Sequence, residues 1–332
     1  MSNIKATHLV KGFKHNSPVI SCRFDPSGRY IFGGAEDYQI WRWEVATGKK
    51  LGMSEADAWV RSLAFADKGK IMISGGYDGR LLFWEPLADK PKPTRKIEAH
   101  KGWIRAIAVN NEQSMLATAG NDLVVRLWEI STGKLIRELK EHESHIYNLS
   151  FHPNGKHLVT GDLKANIFDW EVATGKKARS WVAKSLIKYD KGFKAFIGGF
   201  RGMTFNREGT RLACSGITNV TNAFAGVGNP CVVVYDWKTG KVLIEHKPKQ
   251  KVKGVAWGVA FHPQGDTICG IGGGSAYLMF WKPKAKQQFH QVKLPSDVRD
   301  LHLHQDGVQV ATAHHDKHVR IYKMDAKPKK KK

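Results

Sequence analysis

Residues 123–134 read LVVRLWEISTGK, an apolar run that closes on Trp128 and Glu129 and then enters a Thr-Gly turn. Val and Leu with an aromatic suit a strand packed in a sheet, and Thr132-Gly133 suits the reversal that follows it. The same ending recurs at 38–49 (YQIWRWEVATGK), 164–176 (KANIFDWEVATGK) and 231–241 (CVVVYDWKTGK). Looser copies are RLLFWEP at 80–86, YLMFWKP at 277–283 and HVRIYKM at 318–324. The stretch is one unit of a repeat that runs through the chain.

Alignment on the aromatic before the turn gives Trp43, Trp84, Trp128, Trp170, Tyr235, Trp281 and Tyr322, spaced 41, 44, 42, 65, 46 and 41 residues apart. A second column lies upstream: FDPSG, FADKG, FHPNG, FNREG, FHPQG and LHQDG, with a degenerate VNNEQ at 109–113. Asp, Asn or Pro followed by Gly favours a tight turn between antiparallel strands. Seven copies of strand, turn, strand, turn, strand are thus legible, with a period of roughly 40–45 residues.

In this column pattern the chain resembles the WD40-repeat β-propeller family over almost its whole length. The resemblance implies an all-β fold: a seven-bladed propeller of four-stranded blades, spanning residues 1–325, with 326–332 as a basic tail. It also implies a strut in each blade, made by a His, a Ser/Thr, an Asp and the Trp. The third copy carries all four in His100, Thr118, Asp122 and Trp128. The second keeps Ser74, Asp78 and Trp84, and the seventh keeps Thr312 and Asp316 with Tyr322 in place of Trp. The remaining copies depart further, so less regular blades are expected there. A buried indole N–H and a buried carboxylate are costly unless paired, which is why such a set recurs. Because these residues recur as struts and do not converge once in a cleft, no catalytic set is expected.

The seventh copy ends after its third strand, whereas KATHLVKGFKH (5–15) is similar to the outer-strand segment KLIRELKEH (134–142). The N-terminal segment is therefore expected to close the ring, leaving only short protected edges. The 65-residue interval in the fifth copy holds two insertions, at about 182–199 and 217–230, which read as long loops and are expected to make one face asymmetric.

The chain has 332 residues, with 53 Lys+Arg against 30 Asp+Glu and a net charge of +23. Without the five lysines of the terminal KPKKKK it still carries +18, so an acidic partner is expected. The four cysteines are far apart and sit in apolar runs, which suits buried reduced thiols. Neither a leader peptide nor a membrane span is expected, and a cytoplasmic location follows, or a nuclear one in a eukaryote.

In the family, the surface around the start of each blade's first strand usually carries partner contacts. Here that position offers Trp59, Arg61, Trp103, Arg105, His145, Tyr147, Arg201, Trp257 and Arg299, and the residues before the turn Asp add Tyr77, Asn121 and His315. Arg, Trp and Tyr dominate interface hot spots, so this face is expected to bind a protein. Single-stranded RNA or DNA is the alternative, with bases stacked on the same aromatics and the Lys tail as an auxiliary arm. Other motifs carry less. GIGGGS (270–275) lacks the GK[ST] of a phosphate loop and reads as a turn. His302, His304, His314, His315 and His318 divide between two ends of one blade, and EHESH (141–145) reads as a loop, so neither metal nor cofactor is expected.

Overall fold

The structure, a computed structural model, describes residues 2–222 and 227–326. The Lys tail from 327 and the centre of the second insertion, 223–226, lie outside the described residues. Seven antiparallel four-stranded sheets follow one another in chain order around a central channel. The third blade is representative, with strands Ile104–Val109, Met115–Gly120, Val125–Glu129 and Leu135–Leu139 from the channel outward. The ring closes as expected. The N-terminal strand His8–Lys14 pairs with His318–Lys323 as the outer strand of the seventh blade, beside Gln309–His314 and Val298–Leu303.

Apolar side chains interleave between neighbouring blades. Trp128 packs with Ile73, Leu81 and Phe83 of the second blade, and Trp170 with Ala117, Leu127 and Leu139 of the third. Each repeat aromatic is thus the wedge of an interface, and no blade completes its core alone. The turns between first and second strands use a left-handed residue where the repeat has Gly: Gly28, Gly155 and Gly307 all have φ near +70°. In the degenerate third copy Gln113 takes that conformation at φ +57°, and Asn110 Oδ1 holds the turn by accepting the Ser114 and Met115 N–H groups.

The expected strut is present in the third blade. Trp128 Nε1 donates to Thr118 Oγ1 (2.9 Å), Thr118 to His100 Nε2 (2.7 Å), and His100 Nδ1 to Asp122 Oδ1 (2.8 Å). Although burial raises the Asp122 pKa, the bonds from His100 and Arg126 hold it well below the usual carboxylate range. Two sequence expectations need correction. The fourth blade is as complete as the third, through His142, Thr160, Asp162 and Trp170, so EHESH supplies a strut and is no idle loop. His142 escapes notice because its partner Asp162 stands two positions ahead of the column that Asp78, Asp122 and Asp316 share before the repeat aromatic. In the seventh blade Thr312 bonds His314, Asp316 pairs with Arg320, and the Tyr322 hydroxyl is buried without a partner, so Tyr322 fills the wedge but does not join the strut. The second blade keeps Trp84 Nε1 on Ser74, with Asp78 turned to Arg80.

The second insertion also differs from expectation. It is no open loop: strands Arg211–Asn222 and Val227–Asp236 extend the fifth blade outward as a two-stranded arm, paired through Thr218 and Asn229. The first insertion forms a hairpin of Ile187–Asp190 and Ala195–Gly198 against that arm. GIGGGS is half strand, since Thr267–Gly272 is central in the sixth blade, and only Gly273 and Gly274 turn. The four cysteines are buried and unpaired.

Buried neutral histidines tie stability to pH. His246 donates through Nδ1 to Ala285 O and accepts from Thr267 through Nε2. Burial depresses its pKa to about 4, that of His314 to about 4 and that of His302 to about 3, against 6.5 in the unfolded chain. The unfolded state therefore binds more protons below pH 6.5, and stability falls as pH drops from about 6.5 to about 4. Each such histidine contributes a loss of about 3 kcal/mol. We expect a melting temperature flat above pH 7 and steeply falling between pH 6 and 4, read by circular dichroism. A profile that bends only below pH 4, where carboxylates titrate, would contradict this.

Candidate partner-binding face

Every blade's first strand carries a β-bulge near its start, at the second residue in six blades and at the third in the sixth blade. Register against the second strand slips once in each sheet, between Val19 and Ser21, Val60 and Ser62, Ile104 and Ala106, Ile146 and Asn148, Phe200 and Gly202, Ala256 and Gly258, and Val298 and Asp300. The extra residues are Ile20, Arg61, Arg105, Tyr147, Arg201, Trp257 and Arg299. A bulge frees one residue from the ladder and re-aims its side chain, here toward the channel mouth. The sequence columns locate six of the seven but not the cause, and Ile20 was missed because its aliphatic side chain looks like core.

The side chains so aimed form an arc. Trp59 leans on Tyr77 (5.7 Å between ring centres), and Tyr77 stacks flat on Trp103 (4.1 Å, 1°). The Arg105 guanidinium lies 4.9 Å from the Trp103 ring and 4.1 Å from Tyr147, and its Nε donates to Asn121 Oδ1 at 2.6 Å. Arg201 continues over Tyr147 (4.8 Å) and Trp257 (5.5 Å), and Arg299 also lies against Trp257, at 5.1 Å. Cation–π stacking fixes the plane of each guanidinium while leaving its edges open. Trp59 and Trp103 are 38% and 41% exposed, large values for tryptophan. His145 and His315 are exposed at this end of the ring but make no side-chain bond or ring contact among the described residues, so they are not part of the arc.

Below the arc, Arg61, Tyr77, Arg105, Tyr147, Asn148, Arg201 and Trp257 enclose a cavity of about 160 Å³. Arg61 donates to Ile20 O (2.7 Å) and Arg201 to Phe200 O (2.8 Å). Burial, with Arg105 and Arg61 nearby, lowers the Arg201 pKa. Deeper in the channel Asp300 is already engaged by Arg23 (2.6 Å) and by the Cys22 N–H (3.0 Å), a pair the sequence columns did not single out. The insertion arm reaches the same rim, where Ile197, Ile217 and Val220 cluster with Trp257. His302 and His304 line a wider cavity of about 440 Å³ with Phe24, Asp25 and Pro26. His314 is buried between Ser296 and Thr312.

The model of the WD domain, G-beta repeat, matches residues 7–44, 48–85, 91–129, 133–169 and 284–323, more than half of the chain. The chain belongs to the WD40-repeat family. WD40 propellers are typically protein-interaction scaffolds and generally non-catalytic. The stretch without a match, 170–283, holds the arm and hairpin of the fifth blade. Among curated WD40 relatives, transcription initiation factor TFIID subunit 5 of Caenorhabditis elegans is 24% identical over 63% of this chain and 30% of its own length. Nuclear distribution protein nudF of Emericella nidulans is 26% identical over 48% of this chain and 40% of its own. The chain thus spans under half the length of these relatives. No helix among the described residues is long and apolar enough to cross a membrane.

Proposed function

We propose that this WD40 propeller is a non-enzymatic platform that docks an acidic protein on the arc from Trp59 to Arg299. The observation that carries the reading is the arc itself: Arg61, Arg105, Arg201 and Arg299 share one channel mouth, and none has a carboxylate partner among the described residues. Carboxylates of a partner would supply the missing charge, while the Trp103–Tyr77 stack takes an apolar anchor. A rigid closed ring orders little on binding, so most of the contact energy appears as affinity. Buried unpaired thiols fit a reducing compartment inside the cell.

The test titrates fluorescent Asp/Glu-rich peptides bearing one aromatic, and single-stranded RNA and DNA, across a salt series. The intact chain is compared with Trp103→Ala and Arg105→Ala. The platform reading expects peptide binding that weakens about tenfold or more in each variant, as at interface hot spots. Nucleic acid held instead, with log affinity falling steeply and linearly with log salt, would reverse the reading in favour of phosphate contacts.

A further inference from the structure

The cavity under the arc gathers more donors and more positive charge than any single carboxylate takes up. Three guanidiniums, those of Arg61, Arg105 and Arg201, open into about 160 Å³ with no acidic side chain among the lining residues. Each spends only part of its donor fork on the protein: Arg61 one nitrogen on Ile20 O, Arg105 its Nε on Asn121, and Arg201 one nitrogen on the backbone of Gly198 and Phe200. The Trp257 indole N–H, on the same wall, is buried and has no partner. Tyr147 sits between the Arg105 and Arg201 guanidiniums, which holds both in place before any ligand arrives. Asp300 below is neutralised by Arg23 and so does not repel an anion at the mouth.

A carboxylate brings two oxygens and one negative charge. A phosphate monoester brings three outer oxygens and close to two charges, one oxygen for each guanidinium. A phosphodiester carries one charge and, with chain on both sides of the phosphorus, leaves only two outer oxygens for three guanidiniums. We propose that this cavity is a phosphoryl subsite, and that the acidic partner inserts a phosphoserine or phosphothreonine side chain between Arg61, Arg105 and Arg201. The inference rests on the platform reading for its partner, and the subsite gives that partner a modification state. Binding would then depend on a kinase acting on the partner, with the propeller as reader.

The experiment titrates the intact chain with three probes at constant chloride: inorganic phosphate, N-acetyl-phosphoserine amide and N-acetyl-glutamate amide, each followed by calorimetry. The proteins are the parent, Arg105→Gln, Arg201→Gln, Arg201→Lys and, as a charge control on the exposed turn that follows the fifth blade's first strand, Arg207→Gln. The expected result is saturable one-site binding of both phosphate probes, little binding of the glutamate probe, and a loss of about tenfold or more in Arg105→Gln and Arg201→Gln. Arg207→Gln is expected to bind as the parent does. If Arg201→Gln does not fold, Arg201→Lys decides: it keeps the charge but lacks the planar fork, and the subsite requires weaker binding. Equal binding of glutamate and phosphoserine, or losses as large in Arg207→Gln, would overturn the subsite. Binding of inorganic phosphate but not of phosphoserine amide would overturn the side-chain source. Acidic-peptide binding, measured beside phosphate binding on the parent chain, separates the two readings. Peptide binding without phosphate binding removes the subsite and spares the platform, and phosphate binding without any peptide binding removes the platform.

Discussion

A chain lacking residues 2–14 is expected to lose its ring closure, melting at least several degrees lower and self-associating. The missing segment contains the strand His8–Lys14, the sole outer neighbour of His318–Lys323 in the seventh sheet. It also contains Phe13, 6% exposed and stacked on Trp43 of the first blade at 6.1 Å. Loss of a buried Phe alone costs about 3–5 kcal/mol. The strand left uncovered presents unpaired backbone groups together with Val319 and Ile321, both fully buried in the intact ring. An exposed apolar edge recruits another chain, so size-exclusion chromatography should show dimers or aggregates beside the lowered melting temperature. A monomer of unchanged stability would mean that the closing strand is dispensable.

The second large effect concerns one hydroxyl. Thr160 Oγ1 accepts from Trp170 Nε1 at 2.9 Å and donates to His142 Nε2 at 2.7 Å, and Thr160 is fully buried. Thr160→Val keeps the volume and leaves two buried polar atoms without partners, each at about 1–3 kcal/mol. We expect a loss of about 2–6 kcal/mol by chemical denaturation. The fifth blade provides the counterpart. Cys214 stands in the matching position, with Tyr235 as the aromatic and no strut hydroxyl, and the hydroxyl beside it, Ser215 Oγ, is buried without a partner. Ser215→Ala is therefore expected to be neutral within about 0.5 kcal/mol, or slightly stabilising. Equal losses in the two variants would show that the strut is not held by hydrogen bonding.

These two positions show what the one-dimensional pattern carries. Repeat number, strand order and ring closure were legible because the aromatic, the Gly turn and the alternating strands are local signals at fixed spacing. The third-blade strut was legible for the same reason. The fourth-blade strut was hidden because Asp162 stands two positions out of the turn column, which breaks the fixed spacing by which the third-blade set is read. The arm of the fifth blade reads as a loop because Gly228 and Pro230 interrupt a run that is otherwise β-prone, yet the ladder from Arg211 runs through Pro230 to Asn229 and resumes beyond Gly228 at Asn222 and Val227. Of the binding face, the residue types were visible and their convergence was not. The flat Tyr77–Trp103 stack, the Tyr147 clamp between two guanidiniums and the Arg23–Asp300 pair all join different blades, hundreds of residues apart in the last case.

The bulge that recurs in all seven first strands separates two duties that most strand residues must share. Because each extra residue stands outside the ladder, its replacement changes neither hydrogen-bond register nor the alternation of inward and outward side chains on the rest of the strand. Ile20, Arg61, Arg105, Tyr147, Arg201, Trp257 and Arg299 can therefore be read as a seven-letter word written on a scaffold indifferent to its spelling. Rewriting that word, one letter per blade, is the natural route to a propeller with a different client and the same architecture.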